Sequence, residues 1–168
     1  SGGVYDPATL FAAKQNVPWG RPSYDDSTWG RGPAPFGAGT PPGGVTLATD
    51  LTAQIPGLAT SLYLRTVFNA TATHVADTLP LQLMIDWDDG FVAYINGVEV
   101  ARDRLDLANS FTPHDAVASS ARGPGSYATY TLDVPARLIS AGLNVLSVQV
   151  HNVTLNDPDI FLRAQLRT

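Results

Sequence analysis

Cysteine is absent from the 168-residue sequence. Its absence excludes disulfide bonds, thiol catalysis and cysteine-ligated zinc, so the fold has to rely on other interactions for its stability. Hydrophobic residues make up 44% of the chain and charged residues only 15%. A chain of this length and hydrophobic content can bury one sizeable core, which predicts a single domain over residues 1–168.

Basic residues are also few, and they are scattered along the chain. Ten Lys and Arg against fifteen Asp and Glu give a net charge of −5. Nucleic-acid binding depends on clustered positive charge, so this composition argues against it. No apolar run approaches the roughly 20 residues that cross a bilayer, so membrane insertion is not expected. The first ten residues lack the basic start and apolar centre of a signal peptide, which favours an excised part of a larger protein.

Catalytic motifs are missing as well. The sequence contains no Gly-x-Ser-x-Gly, no His-Glu-x-x-His and no phosphate-binding loop motif. Two aspartates could in principle form the carboxylate pair of a glycosidase, so a small glycan-active hydrolase stays open as a third alternative. We expect a protein that is not itself an enzyme.

Glycine and proline, in contrast, are abundant, with 15 and 13 residues. They are concentrated in residues 18–44, where they would interrupt any regular element. The same segment carries Trp19, Tyr24, Trp29 and Phe36. Since a mobile linker has little use for aromatic side chains, we predict a long ordered loop that packs against the rest of the domain.

Strands are predicted within residues 60–168, the main body of the domain, which follows a lead-in over residues 1–17. The two-residue period of a strand places two sets of side chains on common faces: Leu62, Leu64, Thr66 and Phe68 in one strand, and Leu81, Leu83, Ile85 and Trp87 in another. The turn signals Asp89-Gly90 and Asn96-Gly97 predict a three-stranded meander over residues 81–102. Further elements are a short helix in residues 134–142 and strands in 127–134, 144–153 and 159–166. This pattern predicts an all-β fold, a two-sheet antiparallel β-sandwich of the jelly-roll type.

Four stretches together resemble a known family: YDDSTWGRGPAPFG (24–37), LYLRTVF (62–68), DDGFVAYINGVEVAR (88–102) and GLNVLSVQVHN (142–152). Their order is similar to that in galactose-binding-like jelly-roll modules of secreted bacterial proteins, such as the sugar-binding domains of family 2 glycoside hydrolases and carbohydrate-binding modules. The resemblance covers about residues 18–166. It implies a noncatalytic carbohydrate-binding module that is tethered to other domains of a secreted or cell-surface bacterial protein. Its partner would be a polysaccharide or another glycan.

Five side chains are the candidates for a sugar site. A sugar ring presents apolar C–H faces and a rim of hydroxyls, so it needs an exposed aromatic ring beside groups that hydrogen-bond in its plane. Trp19 lies between Pro18 and Gly20 and is the tryptophan most expected to be exposed. Trp87 lies either at the rim of the core or on the surface as such a ring. Arg102 either binds a ligand or pairs with Asp86 or Asp88. The candidates are Trp19, Tyr24, Trp87, Arg102 and Asn152.

A structural calcium ion is a further expectation. The resemblance implies calcium between the long early loop and the last strand, and Asp25, Asp26 and Asp159 occupy similar regions of this sequence. Carboxylate oxygens are the ligands that calcium prefers.

The principal alternative to a sugar-binding module is a structural spacer or a protein-interaction domain for adhesion, without a sugar site. A shared fold does not decide between these functions. The alternative predicts that all three tryptophans are buried and that no aromatic ring lies on the surface beside polar groups.

Overall fold

The computed structural model describes residues 17–40, 45–106 and 111–167. Of the predicted lead-in, residues 1–16 lie outside these ranges, as do residues 41–44 of the predicted loop. The described ranges contain two short α-helices, α1 (Ala72–Val75) and α2 (Pro135–Leu138), and a 3₁₀ turn at Pro18–Gly20. Neither helix is long and apolar enough to cross a membrane.

Nine strands account for the regular structure of the described residues. They are β1 (Phe36–Ala38), β2 (Thr49–Asp50), β3 (Ser61–Ala70), β4 (Gln82–Asp88), β5 (Gly90–Ile95), β6 (Val98–Asp103), β7 (Ala128–Thr131), β8 (Gly142–His151) and β9 (Ile160–Arg167). The strands form a five-stranded sheet in the order β2-β1-β9-β4-β7 and a four-stranded sheet in the order β3-β8-β5-β6. Most neighbouring strands are antiparallel, whereas β1 and β2 are parallel. The predicted all-β sandwich of two sheets is confirmed.

The hydrophobic core lies between the two sheets. The inner face of β4 contributes Leu83, Ile85 and Trp87, and alternate residues of β8 contribute Val148 and Val150. The three side chains of β4 are among those that the two-residue period placed on a common face. Each fully buried aliphatic side chain contributes about 1.5–3 kcal/mol relative to an exposed one, so the core is the main source of stability.

Asn96 and Gly97 form the turn between β5 and β6, as predicted. Their φ angles are 52° and 86°, the left-handed region that Asn and Gly tolerate best. The amide of Asn96 also ties the turn to β8, because its Oδ1 accepts from the backbone N–H of Val145 at 3.0 Å and its Nδ2 donates to Asn144 Oδ1 at 2.8 Å. The hairpin is thereby fixed to the neighbouring strand.

The predicted three-stranded meander is wrong. β4 pairs with β7 and β9 in one sheet, whereas β5 pairs with β6 and β8 in the other. A single residue, Asp89, separates β4 from β5, which is too short for a hairpin loop. The chain instead crosses from one sheet to the other at Asp89-Gly90. A Cβ on Gly90 would lie 3.0 Å from the Cβ of Ala118 and 3.1 Å from the carbonyl oxygen of Arg104, so glycine allows a close approach at this corner.

Candidate functional site

The outer face of the four-stranded sheet is polar and aromatic. On β8, residues that alternate with the core positions point outward, and Ser147, Gln149 and His151 are buried there. Tyr63 of β3 and Tyr94 of β5 lie on the same face, since each is paired beside these β8 residues. Two segments cover this face, residues 17–31, which we name the aromatic loop, and residues 111–118, which we name the cover segment.

A cavity of about 260 Å³ opens between these two segments and the sheet. Its floor is formed by side chains of β3, β5 and β8, and its walls come from the aromatic loop and the cover segment. It is lined by Val17, Trp19, Tyr63, Tyr94, Phe111, Thr112, His114 and Gln149. We name this cavity the aromatic pocket.

Trp19 is held in the wall of the pocket by ring contacts. Its indole meets the rings of Tyr63 and Tyr94 edge-on, with centroids 4.9 and 5.5 Å away, and stacks on Trp29 at 6.3 Å. Edge-to-face and offset-stacked contacts are the favoured geometries of aromatic pairs. Trp19 was predicted to be exposed, and the structure places it half-buried. It is therefore fixed in position while part of its ring still faces the cavity.

Gly20 explains how the 3₁₀ turn carrying Trp19 approaches the sheet. A Cβ on this residue would lie 2.9 Å from the Cα of Gly97, closer than real Cβ atoms come. The backbone N–H of Val17 donates to the carbonyl oxygen of Gly97 at 3.2 Å. The turn thus lies directly on the β5–β6 hairpin, and this contact sets the height of Trp19 above the sheet.

Neutral hydroxyl and amide groups line the floor of the pocket. The side-chain amide of Gln149 donates to the hydroxyl of Tyr94 at 3.1 Å. Burial is the main cause that raises the pKa of Tyr94, and the carboxylate of Glu99 is the second. The pKa of Tyr63 is also raised, mainly by burial and to a smaller extent by Asp115. Both phenols therefore keep their protons at physiological pH and can donate hydrogen bonds.

Phe111 forms the outer rim of the pocket. It is 64% exposed, so most of its ring faces solvent. Phe111 was not among the residues predicted from the sequence, and neither were Tyr63, Tyr94 and Gln149. Exposed aromatic rings beside fixed polar groups are the arrangement that a sugar ring requires.

Arg102 lies beside the pocket but is not free to bind a ligand. Its Nε and Nη2 donate to the two carboxylate oxygens of Glu99 at 2.8 Å each, and its Nη1 donates to Thr112 Oγ1 at 3.3 Å. Arg102 is 7% exposed. The interpretation that it pairs with Asp86 or Asp88 is wrong, because those residues belong to β4 in the other sheet. Arg102 instead supports a wall of the pocket through Thr112.

Trp87 is a core residue. It is 2% exposed, its ring meets Phe91 edge-on at 4.6 Å, and its Nε1 donates to the carbonyl oxygen of Asp89 at 2.9 Å. The guanidinium of Arg122 covers the remaining ring surface at 3.8 Å from the centroid. A side chain so enclosed has no face left for a sugar ring, which corrects the expectation that Trp87 could serve as one.

Asn152 is also enclosed, at the end of β8. It is 0% exposed, and among the described residues neither atom of its side-chain amide has a hydrogen-bond partner. Its backbone N–H donates to the carbonyl oxygen of Thr60, and its own carbonyl oxygen accepts from Ala118. A residue held in this way is not available to a glycan in solution, so the structure does not bring Asn152 together with Trp19.

Tyr24 and Asp26 anchor the aromatic loop. Both Nη atoms of Arg65 are occupied there: Nη1 forms an ion pair with Asp26, and Nη2 donates to the carbonyl oxygen of Arg21 at 2.9 Å. The guanidinium of Arg65 also lies 5.4 Å from the ring centroid of Tyr24. These contacts make Tyr24 part of the support for the pocket, because it lies behind Trp29.

The predicted calcium ligands are not brought together. Asp25 is exposed and accepts from the backbone N–H of Ser27 at 3.0 Å, while both oxygens of Asp26 bind arginines. Asp159 lies next to Gly39, whose added Cβ would be 2.7 Å from its Cβ. Within the described ranges, no three His, Asp or Glu side chains are grouped so that they could hold a metal ion. The expected ligand set of Asp25, Asp26 and Asp159 therefore does not fit calcium here.

Asp159 belongs instead to a group of four aspartates at the corner between the sheets, which we name the aspartate cluster. Its members are Asp88, Asp89, Asp157 and Asp159. Burial is the main cause that raises the pKa of Asp88 to about 8, and the neighbouring carboxyl of Asp89 is the second. Burial likewise raises the pKa of Asp157 to about 6, with the carboxyl of Asp159 as the second cause. Asp89 itself accepts from the backbone N–H groups of Arg122 and Val153 at 2.7 and 2.9 Å. Asp89 thus has two backbone donors, and Asp88 keeps its proton at neutral pH.

A second, larger cavity lies along the open side of the sandwich, between β3 and β9. Its two parts have volumes of about 560 and 360 Å³, and most of their lining is apolar. Among the described residues, β3 pairs with β8 alone. β9 pairs with β1 as far as Leu162, and beyond that residue it pairs with β4 alone. Both strands therefore have a free edge beside this cavity, which we name the side groove.

Comparisons with known proteins add no family to this geometry. The scan against protein-family models finds no match, and no curated protein matches the sequence significantly.

Proposed function

We propose that the protein is a noncatalytic carbohydrate-binding module and that the aromatic pocket is its binding site. The observation that carries this proposal is the position of Trp19 and Phe111 beside the paired side chains of Tyr94 and Gln149. Aromatic rings cover the apolar face of a sugar, and the hydroxyl and amide groups hydrogen-bond to its rim. Of the five residues predicted for this site, Trp19 lines the pocket.

The absence of carboxylates from the described lining of the pocket supports a binding role. Its described lining contains no carboxylate, so it lacks the pair of acids that glycoside hydrolysis requires. The nearby imidazole of His151 has a lowered pKa because it is buried, and its Nδ1 is engaged with the carbonyl oxygen of Ala116 at 2.9 Å. It has no access to a ligand in the pocket as a general base.

Binding without catalysis is useful when the module is attached to an enzyme. A module that holds an appended enzyme close to a polysaccharide raises the effective concentration of substrate. We place the protein in this role, as part of a larger secreted or cell-surface bacterial protein, on the basis of the sequence resemblance to galactose-binding-like modules.

Phe111→Ala is the sharpest variant for testing the proposal. Phe111 is 64% exposed, so its truncation removes a rim of the pocket with little effect on folding. Leu79→Ala is the matched control, because Leu79 is 63% exposed and does not line the pocket. We expect wild type and Leu79→Ala to bind the same glycans on an array and in affinity gels, and Phe111→Ala to lose at least about tenfold in affinity. Equal binding by the two variants would contradict the assignment of the pocket.

A protein-interaction domain is the second candidate, and the side groove favours it. An extended peptide could pair with the free edge of β3 or β9 while its apolar side chains enter the groove. This function predicts that the wild-type protein binds no glycan on the array. It also predicts that Phe68→Asp, in the groove, abolishes binding of the protein partner, whereas Phe111→Ala does not.

A further inference from the structure

The aromatic pocket is small in relation to the ligands of typical binding sites. Its volume of about 260 Å³ lies below the roughly 300–1,000 Å³ of pockets that enclose drug-sized ligands. One water molecule takes up about 30 Å³ of the liquid, so a ligand that fills the pocket displaces about nine waters. This is the scale of one sugar ring and not of two.

Both walls of the pocket are fixed to the sheet, so the pocket cannot easily widen. The carbonyl oxygen of His114 accepts from Ser61 Oγ at 2.6 Å, and Thr112 is tied to Arg102. On the other side, Trp19 is wedged between the rings of Tyr63 and Tyr94. A cavity with a closed floor and two anchored walls accommodates the end of a glycan chain better than its middle.

The electrostatic surroundings disfavour an acidic ligand. The described lining residues include no aspartate, glutamate, lysine or arginine, and His114 contributes the one imidazole among them. The carboxylates of Glu99 and Asp115 act on the pocket tyrosines from outside, and Arg102 offsets only part of the effect of Glu99 at Tyr94. A sugar that carries a carboxylate would therefore meet repulsion from Glu99 and Asp115, and the described lining contains no lysine or arginine to offset it.

We propose that the aromatic pocket recognises a single uncharged sugar unit at the end of a glycan chain. This inference rests on the proposed function of the same pocket. It adds the size, the charge and the position of the recognised unit.

The test is calorimetric titration of the whole chain with sugars of increasing length. The probes are the methyl glycosides of galactose, glucose, mannose, xylose, arabinose and fucose, the tetrasaccharides that end in each of these sugars, and methyl galacturonide and glucuronide. We expect at least one neutral methyl glycoside to bind within about threefold of its tetrasaccharide, because units outside the pocket add few contacts. We expect both uronides to bind at least about tenfold more weakly than that neutral glycoside, a difference of about 1.4 kcal/mol.

Two results would overturn this inference and leave the carbohydrate-binding function in place. One is an affinity that rises more than about tenfold from methyl glycoside to tetrasaccharide, which indicates an extended site for several units. The other is a uronide that binds as tightly as the neutral sugar. Failure of every probe, together with an empty glycan array, would overturn both proposals.

Discussion

Arg102 and Glu99 form a two-point ion pair beside the aromatic pocket, with both N–O distances at 2.8 Å. Both side chains are 4% exposed. Arg102 lies three positions after Glu99, and an irregularity in the register between β5 and β6 brings both onto the outer face of the sheet. The same arginine donates to Thr112, so the pair connects the sheet to a wall of the pocket.

Removing Arg102 should destabilise the protein strongly. Arg102→Ala leaves the carboxylate of Glu99 buried without its partner, and loss of one partner from a buried pair costs about 3–5 kcal/mol. The control is Arg137→Ala, which breaks the exposed pair with Asp133 and should cost no more than about 1 kcal/mol. Urea unfolding of the two variants measures the difference. Equal losses would show that the buried pair has no special role.

The aspartate cluster predicts that stability falls as the pH rises. The pKa of Asp88 is about 8 in the folded protein, against about 3.9 in an unfolded chain, so folding takes up a proton between these values. The contribution of Asp88 is fully present below about pH 4 and is lost as the pH approaches 8, by up to about 1.4 kcal/mol per pH unit.

Asp88→Asn isolates this effect, because the amide cannot ionise. Relative to the variant, the wild type should lose free energy of unfolding between about pH 5 and pH 8. Denaturant titrations at several pH values give both curves. If the two curves run parallel over this range, the proton on Asp88 is not the cause.

Calcium binding is still a prediction, and no three carboxyl or imidazole groups of the described residues are arranged to hold the ion. A calcium ion that binds the folded protein would raise the melting temperature when millimolar calcium is added. A melting temperature that is unchanged by calcium and by chelator would rule out a structural calcium ion.

The burial of Trp87 predicts a loss of stability on truncation. Trp87→Ala removes a fully packed ring and should cost about 3–5 kcal/mol. Trp87→Phe keeps part of the packing against Phe91 and should cost less. Thermal or urea unfolding measures both changes. A small loss for Trp87→Ala would contradict the placement of this residue in the core.

The faces of the long strands could be predicted from the sequence, because the two-residue period acts within a single strand. Leu62 and Leu64 of β3 pack against the core, as predicted. The sheet to which each strand belongs depends on pairing with distant segments. The dipeptide Asp89-Gly90 is also typical of hairpin turns. Only the pairing of β4 with β9 shows that the chain passes from one sheet to the other there.

The candidate site could be predicted only in part, for a similar reason. Trp19 was identified because its position between Pro18 and Gly20 made it the tryptophan most expected to be exposed. Tyr63 and Gln149 lie on predicted strands, where their outward positions would ordinarily face solvent. Their role depends on the aromatic loop and the cover segment, which pack over this face through contacts between residues far apart in sequence, such as Ser61 with His114.

The most direct test of the central claim follows the indole N–H signals of the three tryptophans by NMR while a glycan from the array is added. The environments of Trp19, Trp29 and Trp87 differ, so their signals report separately on the pocket wall, its support and the core. We predict that the Trp19 signal shifts with increasing glycan and that the Trp87 signal stays in place. Glycan binding that leaves the Trp19 signal unmoved would contradict the assignment of the aromatic pocket as the binding site.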